Sequence, residues 1–188
     1  MGAAFDESFK KRYRRNKETL EWYDALAMAV AVIALVFTFG VRIVKVDGHS
    51  MDPTLFNGER ILINLMKQPD YGDIVVVDGY TSYGKPLVKR VIGLPGDTVS
   101  IKNGYVYING EKLEESYLPR QGVTAAGNQE EYVVPEGCLF FLGDNRTNSQ
   151  DARLWDNPYI PVDKVRSHVL VCISFLKENS WRGIRVVS

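Results

Sequence analysis

The distribution of hydrophobic and polar positions divides the chain into two parts. "WYDALAMAVAVIALVFTFGV", residues 22–41, is almost uninterrupted apolar sequence, and Asp24 is its only charge. A helix of about 20 residues rises about 30 Å, which matches the hydrocarbon thickness of a bilayer. The segment therefore predicts a transmembrane helix, with a buried core helix and a cleaved signal sequence as the alternatives.

The rest of the chain shows the residue pattern of β-strands. Short β-branched or aromatic runs, separated by Gly, Pro or Asp, cover residues 41–46, 59–64, 73–78, 87–93, 98–102, 105–109, 131–135, 137–143 and 166–176. This pattern predicts a mainly β, antiparallel domain behind one N-terminal helix. Asn103-Gly104 and Asn109-Gly110 predict type I′ turns and hence a three-stranded meander. Residues 114–130 are polar and unpatterned, which is typical of a surface loop.

The distribution of charge predicts the orientation of the helix across the membrane. Lys+Arg and Asp+Glu number 23 each, so the overall charge gives no reason to expect a nucleic-acid partner. Residues 10–17, "KKRYRRNK", carry six basic side chains before the apolar segment, against Arg42 and Lys45 after it. Basic residues favour the cytoplasmic side. We therefore expect a cytoplasmic segment at 1–21, a single-pass anchor at 22–41 and an extracytoplasmic β domain at 42–188.

The two cysteines, Cys138 and Cys172, both lie in apolar strand-like runs. An exported domain allows a disulfide, but buried thiols are common in such runs. Spacing alone leaves both possibilities open.

Ser50 in "GHSMDPTL" and Lys89 in "PLVKRVIG" are the candidate catalytic residues. Taken singly, Ser50 fits a turn residue and Lys89 a solvated lysine on an edge strand. A serine needs a base, however, and a lysine serves as one only where desolvation lowers its pKa, as in an apolar strand. His49 adjoins Ser50 and faces away from it in extended backbone, and His168 in "RSHVLVC" is interpreted as a strand residue.

Three stretches, "GHSMDPTL", "KRVIGLPGD" and "GDNRTNSQDAR", follow the apolar segment in this order. Together they resemble the signature motifs of the bacterial type I signal peptidases, in the short Gram-positive-type form. The resemblance extends from about residue 22 to about residue 175. It implies a signal-peptidase-like β fold and a membrane-bound serine endopeptidase that removes N-terminal signal peptides through an acyl-enzyme, without metal or cofactor.

The resemblance also implies residue roles. Ser50 corresponds to the nucleophile, Lys89 to its general base and Ser149 to a hydroxyl that orients the lysine, while the Ser50 N–H would donate to the oxyanion. The residues that correspond to the charged scaffold of the site are Arg90, Asp144, Arg146, Asp151 and Arg153. The chain departs from some members at Gly48, which lacks a second oxyanion-donating hydroxyl, and at Ala152, which replaces a serine.

The expected substrates are secretory preproteins with small residues at the −1 and −3 positions, cut at the outer face of the cell membrane. The residues that correspond to the −1 pocket are Val46, Met51, Leu55 and Val88, and the expected partners include the lipid bilayer but no nucleic acid. Two alternatives stay open: a dedicated maturation protease of the same fold, such as a pilin or conjugation type, and a non-catalytic membrane-tethered β binding domain. Self-cleaving repressors do not fit, because residues 1–41 are basic and then apolar rather than a helix-turn-helix.

Overall fold

The computed structural model describes residues 2–77, 84–175 and 181–186. Its N-terminal unit ends at Gly40 and consists of helix α1, Gly2–Leu35, and a π-helical turn, Val36–Gly40. The window Asn16–Thr38 has a mean hydropathy of 1.8, its residues are exposed, and it is long enough to cross a membrane. The expected anchor, 22–41, falls in this unit except for Val41, which begins the first strand.

The second unit begins at Val41 and consists mainly of β-strands. In the described residues the strands are β1 Val41–Lys45, β2 Arg60–Asn64, β3 Ile74–Val77, β4 Leu87–Gly93, β5 Thr98–Lys102, β6 Tyr105–Ile108, β7 Glu111–Lys112, β8 Glu131–Val133, β9 Cys138–Leu142, β10 Tyr159–Pro161, β11 Val165–Phe175 and β12 Trp181–Val186. The expected mainly β class is confirmed. The short β10 and the terminal β12 were not anticipated. Strand β10 has only three residues and ends in a proline, which cannot donate to a ladder.

The strands form two antiparallel sheets. The larger sheet has the order β1-β2-β11-β3-β4-β9-β10, with β12 paired to β11, and the smaller has the order β7-β6-β5-β8. Strand β4, which carries Lys89, therefore lies between β3 and β9. The edge-strand interpretation of Lys89 is wrong, because both sides of its strand are covered.

The Asn-Gly turns were predicted correctly. Asn103 and Gly104 have φ of 53° and 84°, and Asn109 and Gly110 have φ of 53° and 86°. Two successive positive φ values are what a type I′ turn requires. The turns join β5, β6 and β7 into the expected meander.

Two further expectations are settled by burial and sheet order. Cys138 and Cys172 do not form a disulfide, because β3 and β4 separate their strands in the larger sheet. The loop at 114–130 is not simply a solvated surface segment, since Glu115, Leu118 and Thr124 are buried. Its polar sequence hid the fact that two of these polar residues are paired inside the protein.

Candidate active site

Ser50 lies in a loop between β1 and β2 that is closed at its base by main-chain hydrogen bonds. Val46 donates to the Glu59 carbonyl at 2.8 Å, and Gly58 donates to the Val46 carbonyl at 2.9 Å. Gly48 has a φ of 105°, which side chains rarely adopt, and its N–H donates to Asn57 Oδ1 at 3.0 Å. The glycine at position 48 is therefore required by the backbone of this loop.

A second loop, residues 143–153, holds the main chain beside Ser50 through hydrogen bonds from Asn145. Asn145 donates its main-chain N–H to the Ser50 carbonyl at 3.0 Å and its side-chain amide to the His49 carbonyl at 3.0 Å. The His49 ring instead contacts Asp52, with Nδ1 and Oδ2 3.0 Å apart. The hydroxyl of Ser50 is thus left to face a different partner, on β4.

That partner is Lys89. Its Nζ donates to Ser50 Oγ at 2.8 Å and to the Val88 carbonyl at 3.1 Å, and the residue is 2% exposed. Burial lowers the pKa of Lys89 from 10.5 to about 8, while the negative charges of Asp151 and Asp144 act in the opposite direction. A lysine with this pKa is partly neutral near pH 8, and its lone pair can take a proton from a hydroxyl at this distance.

Arg90, the next residue on β4, is buried in an ion pair rather than solvated. Its Nε and NH2 donate to the two carboxylate oxygens of Asp144 at 2.9 and 2.8 Å, and NH1 donates to the Gly72 carbonyl at 2.6 Å. Thr54 Oγ1 also donates to Asp144 Oδ2, at 2.5 Å. The paired hydrogen bonds between Arg90 and Asp144 fix the start of the 143–153 loop against β4.

Asp151 and Arg153 form a second buried pair in the same loop. Arg153 Nε and NH2 donate to Asp151 Oδ1 and Oδ2, each at 2.8 Å. Asp151 Oδ2 also accepts the Gly143 N–H at 3.0 Å. Ala152, between the two charged residues, is fully buried and donates its N–H to the Phe141 carbonyl at 3.2 Å. The pair therefore closes the loop back on its own first residue.

Ser149 lies beside Gly143, in the same loop. A Cβ added to Gly143 would lie 2.5 Å from the Ser50 carbonyl oxygen and 2.6 Å from Ser149 Cβ, so both serines approach this glycine closely. The Ser149 hydroxyl is buried and has no hydrogen-bond partner among the described residues. Its hydrogen bond to Lys89 is thus not formed here, and the orienting role of Ser149 stays a prediction.

We expect Gly143→Ala to reduce kcat/KM by about 10²-fold, because a methyl group would displace both serines and a shift of about 1 Å is enough for such a loss. Gly40→Ala is the control, since an added Cβ there meets only Val36 Cγ1, at an ordinary contact distance of 3.9 Å. Steady-state cleavage of a peptide substrate, normalised to folded protein, measures both. Equal rates for the two variants would mean that the close approach at Gly143 has no functional weight.

The structure also brings the expected pocket residues together. Val46, Met51 and Leu55 are buried in one apolar cluster, and Val88 packs against it partly buried. Val88 is the most accessible of the four and adjoins Lys89 in sequence.

In the described ranges no group of three or more His, Cys, Asp or Glu side chains is arranged to hold a metal ion.

Three residues of the site region were missed by the sequence interpretation. Arg146 donates to Glu115 and, through NH1, to Thr124 Oγ1 at 2.8 Å, and Tyr117 donates to Glu115 at 2.9 Å. Glu115, Tyr117 and Thr124 all belong to the 114–130 segment. No local signal could have found them, because a polar residue in an unpatterned stretch has the composition of a solvated loop.

Comparison with known proteins identifies the family. The family model described as "Signal peptidase, peptidase S26" matches residues 19–174. Signal peptidase I S of Bacillus subtilis is 40% identical over 74% of this chain and 80% of its own. Signal peptidase IB of Staphylococcus aureus is 37% identical over 73% of this chain and 81% of its own. A crystal structure of a signal peptidase I from Enterococcus faecalis is 32% identical and covers 54% of this chain and 97% of its own, with a TM-score of 0.44.

The family model spans most of the apolar helix, strand β4 with Lys89, and the loops that carry Ser50 and Ser149, and the relatives also cover most of the chain. The apolar helix and these relatives together indicate a membrane-anchored protein. The relatives come from Bacillus and Staphylococcus, and their identities lie near 40%. The chain belongs to the signal peptidase family, peptidase S26, in its Gram-positive type I form.

Proposed function

We propose that this chain removes signal peptides from secretory preproteins by acyl-enzyme chemistry, with Ser50 as nucleophile and Lys89 as general base. The observation that carries the proposal is the 2.8 Å contact between Ser50 Oγ and Nζ of the buried Lys89. Family membership supports the reaction, and the lowered pKa of Lys89 supports the choice of base. A hydroxyl and a neutral amine at this distance form the minimal unit for nucleophilic catalysis.

In the first half of the reaction, Ser50 Oγ attacks the scissile carbonyl carbon and its proton passes to neutral Lys89. The Ser50 N–H donates to the oxyanion that forms. The Lys89 ammonium then gives its proton to the departing amine, which leaves an ester between Ser50 and the signal peptide. In the second half, Lys89 takes a proton from water, the resulting hydroxide equivalent attacks the ester, and the proton returns to Ser50.

The substrate would bind in an extended conformation. Alternate side chains of an extended peptide enter pockets on one side of it, and the cluster with Val46, Met51, Leu55 and Val88 offers apolar walls. Walls of this kind accept a small side chain at −1 and exclude a charged one. Small residues at −1 and −3 are therefore the proposed preference.

The anchor would place the site outside the cytoplasm. Five of the six basic residues at 10–17 precede the apolar window Asn16–Thr38 and the sixth, Lys17, lies at its start, and basic residues favour the cytoplasmic side. We thus propose a cytoplasmic segment at 1–21, a single pass at 22–41 in the lipid bilayer of the cell membrane, and an extracytoplasmic catalytic domain at 42–188.

The test is cleavage by the full chain, purified in detergent and given a preprotein with alanine at −1. The expected result is release of the intact signal peptide, at a rate that EDTA does not change. The same preprotein with glutamate at −1 is the matched control and should not be cut. Cleavage of a pilin-type precursor alone, with no cleavage of ordinary preproteins, would instead identify a dedicated maturation protease.

The pH dependence follows from the lowered pKa of Lys89. Because the neutral amine is the active form, kcat/KM should rise with pH and reach half its maximum near pH 8. About one tenth of the enzyme is then active at pH 7 and about nine tenths at pH 9. A profile of kcat/KM from pH 5 to 10 checks this, and a rate that falls over this range would contradict the assignment of the base.

A further inference from the structure

The segment between β7 and β8 packs against the active-site loop through a buried polar network centred on Arg146. Arg146 Nε donates to the Gly143 carbonyl at 3.0 Å, NH1 to Thr124 Oγ1 at 2.8 Å, and NH2 to Glu115 Oε1. The side chains of Arg146 and Glu115 are 1% and 2% exposed. One guanidinium group therefore joins this segment to the glycine that both serines approach.

A second connection lies at the other end of the segment. Arg153 NH1 donates to the Ala125 carbonyl at 3.2 Å, and Asn128 donates its N–H to the Arg153 carbonyl at 2.9 Å. A Cβ on Gly127 would lie 2.5 Å from the Arg153 carbonyl oxygen. The segment thus contacts the active-site loop near both Gly143 and Asp151.

Tyr117 extends the network to β4. Its hydroxyl donates to Glu115 Oε1 at 2.9 Å and accepts from Arg146 NH2 at 3.3 Å, while the Arg90 guanidinium lies 3.8 Å from the ring centroid. Burial raises the pKa of Tyr117, and the charge of Glu115 raises it further. Tyr117 therefore stays a neutral donor between two cations, and Glu115 supplies the negative charge that this arrangement needs.

A buried guanidinium without a counter-charge is strongly unfavourable, because desolvation removes its water without replacement. Burial alone would lower the pKa of Arg146, but its hydrogen bond to Glu115 and that residue's charge more than offset this, and the pKa is raised. Without Glu115, Arg146 would gain by moving towards solvent. Its Nε would then release the Gly143 carbonyl.

We propose that Glu115 is a positioning residue of the peptidase site: it holds Arg146, and Arg146 fixes Gly143, Ser149 and the Ser50 main chain in the arrangement that catalysis needs. The inference rests on the proposed function. Glu115 lies outside the three motifs that carry the family resemblance, and it acts through contacts rather than on the substrate.

The test compares Glu115→Gln with Glu114→Gln in the full chain in detergent, using a preprotein-derived peptide. Glu114 is the adjacent glutamate and is exposed. We expect Glu115→Gln to lower kcat about tenfold or more with little change in KM, since a displaced loop misorients the serines. We also expect the midpoint of the pH profile to rise, because a loosened loop admits water to Lys89 and returns its pKa towards the ordinary value. Glu114→Gln should match the wild type in both.

Thr124→Val provides a second measurement that does not alter charge. It removes the side-chain acceptor of Arg146 NH1 and should change kcat and the midpoint in the same directions by smaller amounts. It therefore tests the positioning role if Glu115→Gln does not fold. Unchanged kcat and midpoint in folded variants, with a change in thermal stability alone, would overturn the positioning role. Ser50→Ala is run in parallel: if it still cleaves, the proposed function fails, whatever the Glu115 result.

Discussion

Lys89→Met is expected to abolish cleavage, with kcat reduced by on the order of 10⁴ to 10⁶, as for the loss of a nucleophile or base in other serine hydrolases. Methionine fills the space of the lysine but cannot accept the Ser50 proton. Lys89→Arg should be equally inactive, because a guanidinium stays protonated, and Ser50→Ala should match both. Lys85→Met is the control, since Lys85 is exposed and close to the same strand.

The same variant separates loss of chemistry from loss of fold. The pKa of Lys89 is lower in the folded chain than its ordinary 10.5, so burying the ammonium opposes folding by about 3 kcal/mol below pH 8, an order-of-magnitude figure. This penalty disappears as the pH rises through 10.5. Lys89→Met should therefore be at least as stable as the wild type at pH 6, in chemical denaturation. An active Lys89→Met, or an inactive one that is unfolded, would contradict the expectation.

Asp144→Asn is expected to destabilise the domain by about 3–5 kcal/mol, because it leaves the Arg90 guanidinium buried without its counter-charge. The two side chains are 1% and 0% exposed. For a chain of this size the change lowers Tm by about 6–20 °C. Any remaining activity should have a pH midpoint below about 8, since the charge of Asp144 raises the pKa of Lys89.

Asp163→Asn is the matched control for this experiment. Asp163 and Lys164 form a surface pair with side chains 70% and 46% exposed, and such pairs contribute about 1 kcal/mol or less. Differential scanning calorimetry of both variants measures the contrast. A similar small loss for both would mean that the Arg90–Asp144 pair is solvated in solution.

Much of the β architecture could be predicted because local signals decide it. The strands at 87–93 and 98–102 begin and end where β-branched runs meet Gly, Pro or Asp, and they match the structure to the residue. The Asn-Gly turns require positive φ wherever they occur. The order of the strands could not be predicted in this way. No local sequence signal indicates that β4 lies between β3 and β9, so the sequence was equally compatible with Lys89 on an edge strand.

The residues of the site also differ in whether the sequence could predict them. Ser50, Lys89 and Ser149 were found because their motifs resemble a known family, and the structure places Lys89 against Ser50. Glu115 was not found, because its burial depends on an arginine 31 residues away. A carboxylate in a polar stretch has the same local sequence whether water or a guanidinium solvates it, so only tertiary structure separates the two cases.

The distances in sequence between the parts of this site also bear on the order in which the chain folds. Ser50 and Lys89 are 39 residues apart, and His49 and Asn145, whose contact fixes the serine loop, are 96 residues apart. Contacts of such long range form late, because loop closure must precede them. A nascent or partly folded chain would therefore have no assembled dyad, and proteolytic competence would arise only as the last segments dock. Folding itself would protect a newly made peptidase, and its unfolded neighbours, from premature cleavage.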